Sequence, residues 1–248
     1  MPTLQCLTRR AVFAGLVLTA CTEPEANVLT GPHGAQGLAL TAGIPPAGNF
    51  VPSSDNPYFP LVPGTTFHYE AITSEGTETE DFAVTQDTKV IDGVTVRVAE
   101  DIVTLNGVII EHTFDWFAQD TETGDVWYFG EDSQQFDPIS GKRIGKEGSW
   151  EAGKKGAEAG IIMEGQPKVG DTYSEEFAPG VAEDMATVLS LNAHAKVPYG
   201  NFHGCLKTEN FTPLEPDVHE QKFYCPGVGL VLEDDDGDLN KLISITTQ

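Results

Sequence analysis

From Thr65 to its end the chain runs as short alternating stretches punctuated by Asp-Gly and Asn-Gly pairs, and this leaves room for little except consecutive β-hairpins. Such pairs supply the positive φ angles that two-residue hairpin turns demand. They fall at Asp92-Gly93, Asn106-Gly107 and Asp236-Gly237, with Thr123-Gly124-Asp125 as a further turn. The strands expected between them cover 65–73, 78–86, 94–104, 108–119, 125–131, 186–198, 203–211, 218–225, 228–234 and 240–247. No long segment sustains a helical period. Within 94–104, Val94, Val96 and Val98 alternate with Thr95, Arg97 and Ala99, which predicts one buried and one wet face. The fold class that follows is all-β, an antiparallel meander that closes into a barrel or curls as an open half-barrel. Residues 138–182, rich in Gly and Pro, interrupt the series. They are expected to form a long excursion with short strands across one mouth, and loops of that length usually serve a purpose.

The N-terminus has another character. Arg9 and Arg10 precede the uncharged apolar stretch Ala11 to Ala20, and Leu18-Thr19-Ala20-Cys21 has the form of a lipobox. The apolar run is too short to span a bilayer, so residues 1–20 read as a lipoprotein signal peptide that is removed. Cys21 is then the acylated N-terminus, and several acyl chains hold firmly where one holds marginally. This predicts a protein of the cell envelope, lipid-anchored outside the cytoplasm. By resemblance to Gram-negative lipoproteins, Thr22 rather than Asp after the cysteine implies the outer membrane. Arg9-Arg10 suits both the general secretory and the twin-arginine routes, with the former favoured. Residues 21–55 are expected to be a flexible tether. Residues 56–248 are expected to form a single β-domain, beginning with a proline-stiffened strap, Asn56 to Gly64.

Charge narrows the partners. The chain has 14 basic and 38 acidic residues, a formal charge of −24, and losing two arginines with residues 1–20 makes it −26. Nucleic acid is excluded, because phosphates need Lys and Arg clusters. An anionic membrane would repel such a chain, so attachment falls to the lipid anchor. The acidity serves solubility or gathers divalent cations. Of four cysteines, Cys6 leaves with the signal and Cys21 takes the lipid. Cys205 and Cys225 remain in an oxidising compartment. If strands 203–211 and 218–225 pair across a turn at 212–217 with partner numbers summing to 430, the two face each other within disulfide reach.

Several stretches resemble an uncharacterised family of bacterial secreted proteins and lipoproteins. They are Asn56-Pro57-Tyr58-Phe59-Pro60-Leu61 with Gly64-Thr65, Thr113 to Asp120 (TFDWFAQD), and Val126-Trp127-Tyr128-Phe129-Gly130-Glu131. The similarity continues through Gly148 to Gly153, Gly160 to Met163 and Pro198-Tyr199-Gly200, covering most of 56–235. The resemblance implies a shared fold and no activity. It also implies that Cys205 and Cys225 are a local addition.

The densest candidate patch is the hairpin 113–131 with Trp150. Alternation places Phe114, Trp116 and Ala118 on one face, with Asp115, Phe117 and Gln119 on the other. In the return strand Trp127, Phe129 and Glu131 oppose Val126, Tyr128 and Gly130. Trp and Tyr suit either a barrel core or a pocket wall. The leading expectation is a non-enzymatic domain binding a small apolar or amphiphilic ligand. Trp116, Trp127, Tyr128 and Trp150 form its wall, and Glu131 and Asp184 orient a polar or cationic end. The first alternative is a carboxylate- or metal-dependent hydrolase drawing on Asp115, Asp120, Glu131, Asp132, Glu151, Glu183 and Asp184. The second is a calcium-binding or envelope interaction protein. Glu233 to Asp238 fails the EF-hand spacing and reads as a charged hairpin tip. His68, Glu70 and His112 are a candidate zinc or copper set. No serine elbow, P-loop or dinucleotide fingerprint occurs, and the sequence names no cofactor.

Overall fold

The computed structural model describes residues 43–248; the signal peptide, Cys21 and the tether up to residue 42 lie outside the described residues. Sixteen strands make one sheet. They are β1 (Phe50–Val51), β2 (Thr65–Thr73), β3 (Gly76–Ile91), β4 (Val94–Leu105), β5 (Val108–Asp120) and β6 (Val126–Phe136). The middle of the chain gives β7 (Arg143–Gly145), β8 (Trp150–Glu151), β9 (Glu158–Met163), β10 (Thr172–Ser174) and β11 (Glu176–Phe177). The last five are β12 (Met185–Val197), β13 (Gly200–Thr212), β14 (Glu215–Cys225), β15 (Gly229–Asp235) and β16 (Asp238–Thr247). The pairing order is β10-β12-β13-β14-β15-β16-β2-β3-β4-β5-β6-β9-β11, every pair antiparallel. The two ends of this path are neighbours in sequence, joined through Glu175, so the sheet curls into a barrel with one unsealed seam. Gly160 sits against that seam. A Cβ there would meet the Glu175 carbonyl oxygen at 2.3 Å, so only glycine lets β9 approach the β10–β11 junction.

Asp92-Gly93, Asn106-Gly107 and Asp236-Gly237 all have two positive φ angles, as the hairpin reading requires. Two expectations change. Residues 158–177 are not a loop over a mouth; as β9, β10 and β11 they complete the wall, because their short strands find β6 and β12 as open edges. The folded part also begins before residue 56. Phe50 is buried edge-on against Trp127 and Phe129, with ring centroids 6.1 and 5.3 Å away, and β1 pairs with Asp120 and Gln119. Asn56 then fixes the strap: its Nδ2 donates to the carbonyls of Gly124 and Glu164, and its Oδ1 accepts from the Tyr58 amide. Phe59, following, stacks edge-on with Phe117 inside the barrel, centroids 5.2 Å apart.

Residues directly opposite each other share a face. Phe67, Phe82, Asp101, Thr113 and Ser133 form one inward row, and Val84, Ala99, Asp115, Glu131 and Trp150 another. The alternation read for β4 therefore holds only to Val96. Val98 is only half-buried, whereas Ala99, opposite Val84 and Asp115, is fully buried, so the simple division into one buried and one wet face ends there.

Cys205 and Cys225 are bonded, with Cα atoms 4.3 Å apart. The ladder beside them runs from Leu206–Tyr224 to Phe211–His219 in the expected register. Its turn is tighter than expected, because Thr212 pairs with Glu215 and a bulge absorbs the residues between Glu215 and His219. All sixteen strands, the disulfide and the described apolar core lie within 47–248, so this segment carries the whole of the described fold. Replacing both cysteines by alanine (C205A/C225A) should lower unfolding free energy by about 3 kcal/mol, the loop-closure estimate for this separation. Urea melts of 43–248 check this, and an unchanged midpoint would show that the ladder alone holds the hairpin.

Candidate ligand site

The expected aromatic wall is divided by the sheet. Trp116, opposite Val98, and Trp127, opposite Ala118, lie on the outer face, whereas Tyr128, opposite Phe117, points inward. Glu131 was expected beside Trp127 and Phe129, yet it faces inward opposite Asp115. The pairing slips by one residue between Asp115 and Phe117, where Gly130 bulges with φ of +120°. A Cβ at Gly130 would meet the Trp150 carbonyl oxygen at 2.3 Å, so glycine lets β8 dock on β6 and bring Trp150 alongside Glu131.

Inside the wall, one phenol serves two acids. The Tyr128 hydroxyl lies 2.6 Å from Asp115 Oδ1 and 2.9 Å from Glu131 Oε2, and all three side chains are buried. A hydroxyl has one proton, so it donates to one carboxylate and accepts from the other, which must be protonated. Burial pushes Glu131 well above the usual carboxylate range, and the charges of Glu176, Asp115 and Glu111 add to it. Burial raises Asp115 to about 7, against the opposing Tyr128 hydrogen bond. The consistent arrangement at neutral pH is a neutral Glu131 donating to Tyr128, which donates to Asp115. Glu176 is also raised by burial and by the nearby Asp184 and Glu175. Asp184 itself is raised to about 6 by burial and lies at the β11–β12 junction, where its carbonyl accepts the amides of Glu175 and Glu176.

Where the excursion folds back on β5 and β6 it leaves an open cleft of about 430 Å³. Trp116, Ala157, Ala178, Pro179 and Val181 line it, and Trp150 and Glu131, opposite each other, contribute from the barrel side. Its rim is basic: Lys89, Lys146, Lys154 and Lys155 all line it. Lys89 Nζ lies 3.3 Å from the Trp116 ring centroid, a cation–π contact, and 2.9 Å from Glu151 Oε2. Lys154 reaches the other Glu151 oxygen at 2.8 Å, and Lys146 reaches Asp132 at 3.2 Å. Burial alone would raise Glu151; hydrogen bonds from Lys154 and Lys89 outweigh it and hold the carboxyl below its ordinary range. Four ammonium groups face the carboxyl groups of Asp132, Glu151 and the buried Glu131, whose charged form burial disfavours, in a chain of net charge −24. The buried Trp150 Nε1 and Glu131 Oε1 have no hydrogen-bond partner. The cleft thus combines indole and small apolar side chains with an excess of positive charge.

Trp116, Glu131 and Trp150 therefore meet at one site, while Trp127, Tyr128 and Asp184 do not reach it. Asp184, expected to act with Glu131, does not line the cleft, and Glu131 lies there among lysines. The four lysines were missed because they are separated along the chain; the basic run Lys142 to Lys155 was the available signal. Other candidate acids have local partners. Asp120 accepts from the Glu122 amide and Thr123 hydroxyl, and Glu183 accepts from the Gly180 amide. His68 and His112 bond to Asp81 and Glu100, and stand three strands apart, roughly 14 Å, so they cannot share an ion. Among the described residues no group of three or more His, Cys, Asp or Glu side chains is placed to hold a metal ion. Asp236-Gly237 turns the acidic hairpin, and the Gly237 amide donates to Asp234.

No protein-family model and no curated protein matches the sequence. Among solved structures, a candidate lipoprotein from Parabacteroides distasonis is similar at a TM-score of 0.41 and 12% identity, over 76% of this chain and 98% of its own. So distant a likeness carries no function.

The inward acids give a testable sign. A carboxyl whose folded pKa is raised binds more protons folded than unfolded, so its contribution is full below about pH 4 and declines as pH rises to the folded pKa. For Asp115 and Glu175, both raised to about 7, stability should fall between pH 4 and 7. Asp115→Asn should weaken that decline, gaining stability over the parent at pH 7.5 and not at pH 4. Thermal melts across this range decide it; parallel pH profiles would refute the Asp115 assignment.

Proposed function

We propose that this chain is a lipid-anchored β-domain of the cell envelope that binds a small amphiphile through its anionic end. The cleft against β5 and β6 is the binding site. The observation carrying the reading is four lysines around an indole-floored cleft of about 430 Å³ in a strongly acidic chain. That volume lies in the usual range for small-molecule sites. An apolar tail lies along Trp116 and Trp150, and a carboxylate or phosphate meets Lys146 and Lys155. Lys89 Nζ sits over the Trp116 ring, so a tail seated there displaces that cation–π contact and leaves Lys89 for the anionic end.

Tryptophan-fluorescence titration of residues 43–248 with dodecanoate, dodecanol and dodecyltrimethylammonium tests the reading. Dodecanoate should bind at least about tenfold more tightly than the cationic homologue, a difference of about 1.4 kcal/mol. The K146E/K155E variant should reverse that order, because both side chains are on the rim and neither builds the core. Equal affinity for all three would remove the charge argument, and failure of all three would remove the amphiphile reading.

A further inference from the structure

Beside the cleft, the turn after β6 and the short strand β7 present two isoleucines to water. Ile139 is 94% exposed and Ile144 63% exposed. The turn that carries Ile139 is built, not frayed. The Asp137 amide donates to the Lys142 carbonyl and the Gly141 amide to the Asp137 carbonyl, both at 2.8 Å. The Ser140 amide and hydroxyl both donate to Asp137 Oδ1 at 2.7 Å. Lys142 and Arg143 lie exposed between the isoleucines, and Lys146 follows. The nearby carboxylates are Asp137, engaged in the turn, Asp132, paired with Lys146, and Glu147 beside Gly145. An apolar tip flanked by cations is the composition of a segment that sits at a lipid headgroup boundary. The acidic remainder of the chain opposes such a surface, so the charge selects this edge.

We propose that residues 137–146 form a membrane-contact flap that docks on an anionic phospholipid bilayer, Ile139 and Ile144 entering the interface and Lys142, Arg143 and Lys146 meeting the headgroups. Lys146 also lines the cleft, so docking here turns the cleft toward the lipid. Cys21, the residue expected to carry lipid, precedes Ala47 by 26 positions, which limits their separation to about 90 Å even fully extended. The proposal rests on the envelope reading for its setting, while the docking itself needs neither lipid on Cys21 nor a filled cleft.

The test is co-sedimentation of residues 43–248 with vesicles of phosphatidylcholine alone and with added phosphatidylglycerol, at low ionic strength. Binding is expected only with phosphatidylglycerol. The K142Q/R143Q variant should bind about 30-fold more weakly, and I139S/I144S should also lose binding. Lys196→Gln, which removes a charge from an exposed position on β12, should bind like the parent. Equal binding to both vesicles, binding to neither, or undiminished binding of the two flap variants would overturn the proposal. Because the vesicles contain no dodecanoate, such a failure leaves the cleft reading standing.

Discussion

Closure of the sheet is the constraint from which the other features follow. Its path ends at β10 and β11, which are separated by a single residue, so the wall can complete itself only where β9 comes close to that junction. Gly160 makes the approach sterically feasible. Once closed, the inward faces of β3 to β6 lose water, and with them Glu80, Asp101, Asp115 and Glu131. An isolated carboxylate is costly in such surroundings, and neutralisation by a proton is the cheaper state. Asp115, Tyr128 and Glu131 show how geometry enforces this, since one phenolic proton cannot satisfy two anions.

The same closure sorts the charges. Acidic side chains occupy the lumen as well as the surface, and Lys222 answers part of the inner set, with Glu233 at 3.2 Å and Glu220 at 3.4 Å. Most of the other cations of the middle segment stay outside, around the cleft and the adjoining flap. Segregation of this kind gives a strongly acidic molecule one positively biased edge. Glu151 holds two of the lysines in place, and Trp116 lies beneath one of them, so the rim is preorganised rather than a loose set of ammonium groups.

Hairpin order, most strand positions and the Cys205–Cys225 partnership were legible because each depends on local information: turn chemistry and period-two alternation. The side-chain orientations failed at particular residues for a particular reason. Glu131 lies just past a one-residue slip in register, and such a bulge is invisible to alternation while it inverts everything beyond it. Gly130 was a visible hint. Phe50 was missed because a lone aromatic in a Gly- and Pro-rich stretch has no periodicity to report; it is held by Trp127 and Phe129, far along the chain.

The sequence by itself determined the all-β class, the succession of hairpins and the excess of acid, since these need only neighbours in the chain. Tertiary structure alone decided which tryptophans share a site, which acids lose their charge and where the scarce lysines gather. Those properties depend on which strands become adjacent when the sheet closes and on where bulges reset its register, and both are set by contacts between distant parts of the chain.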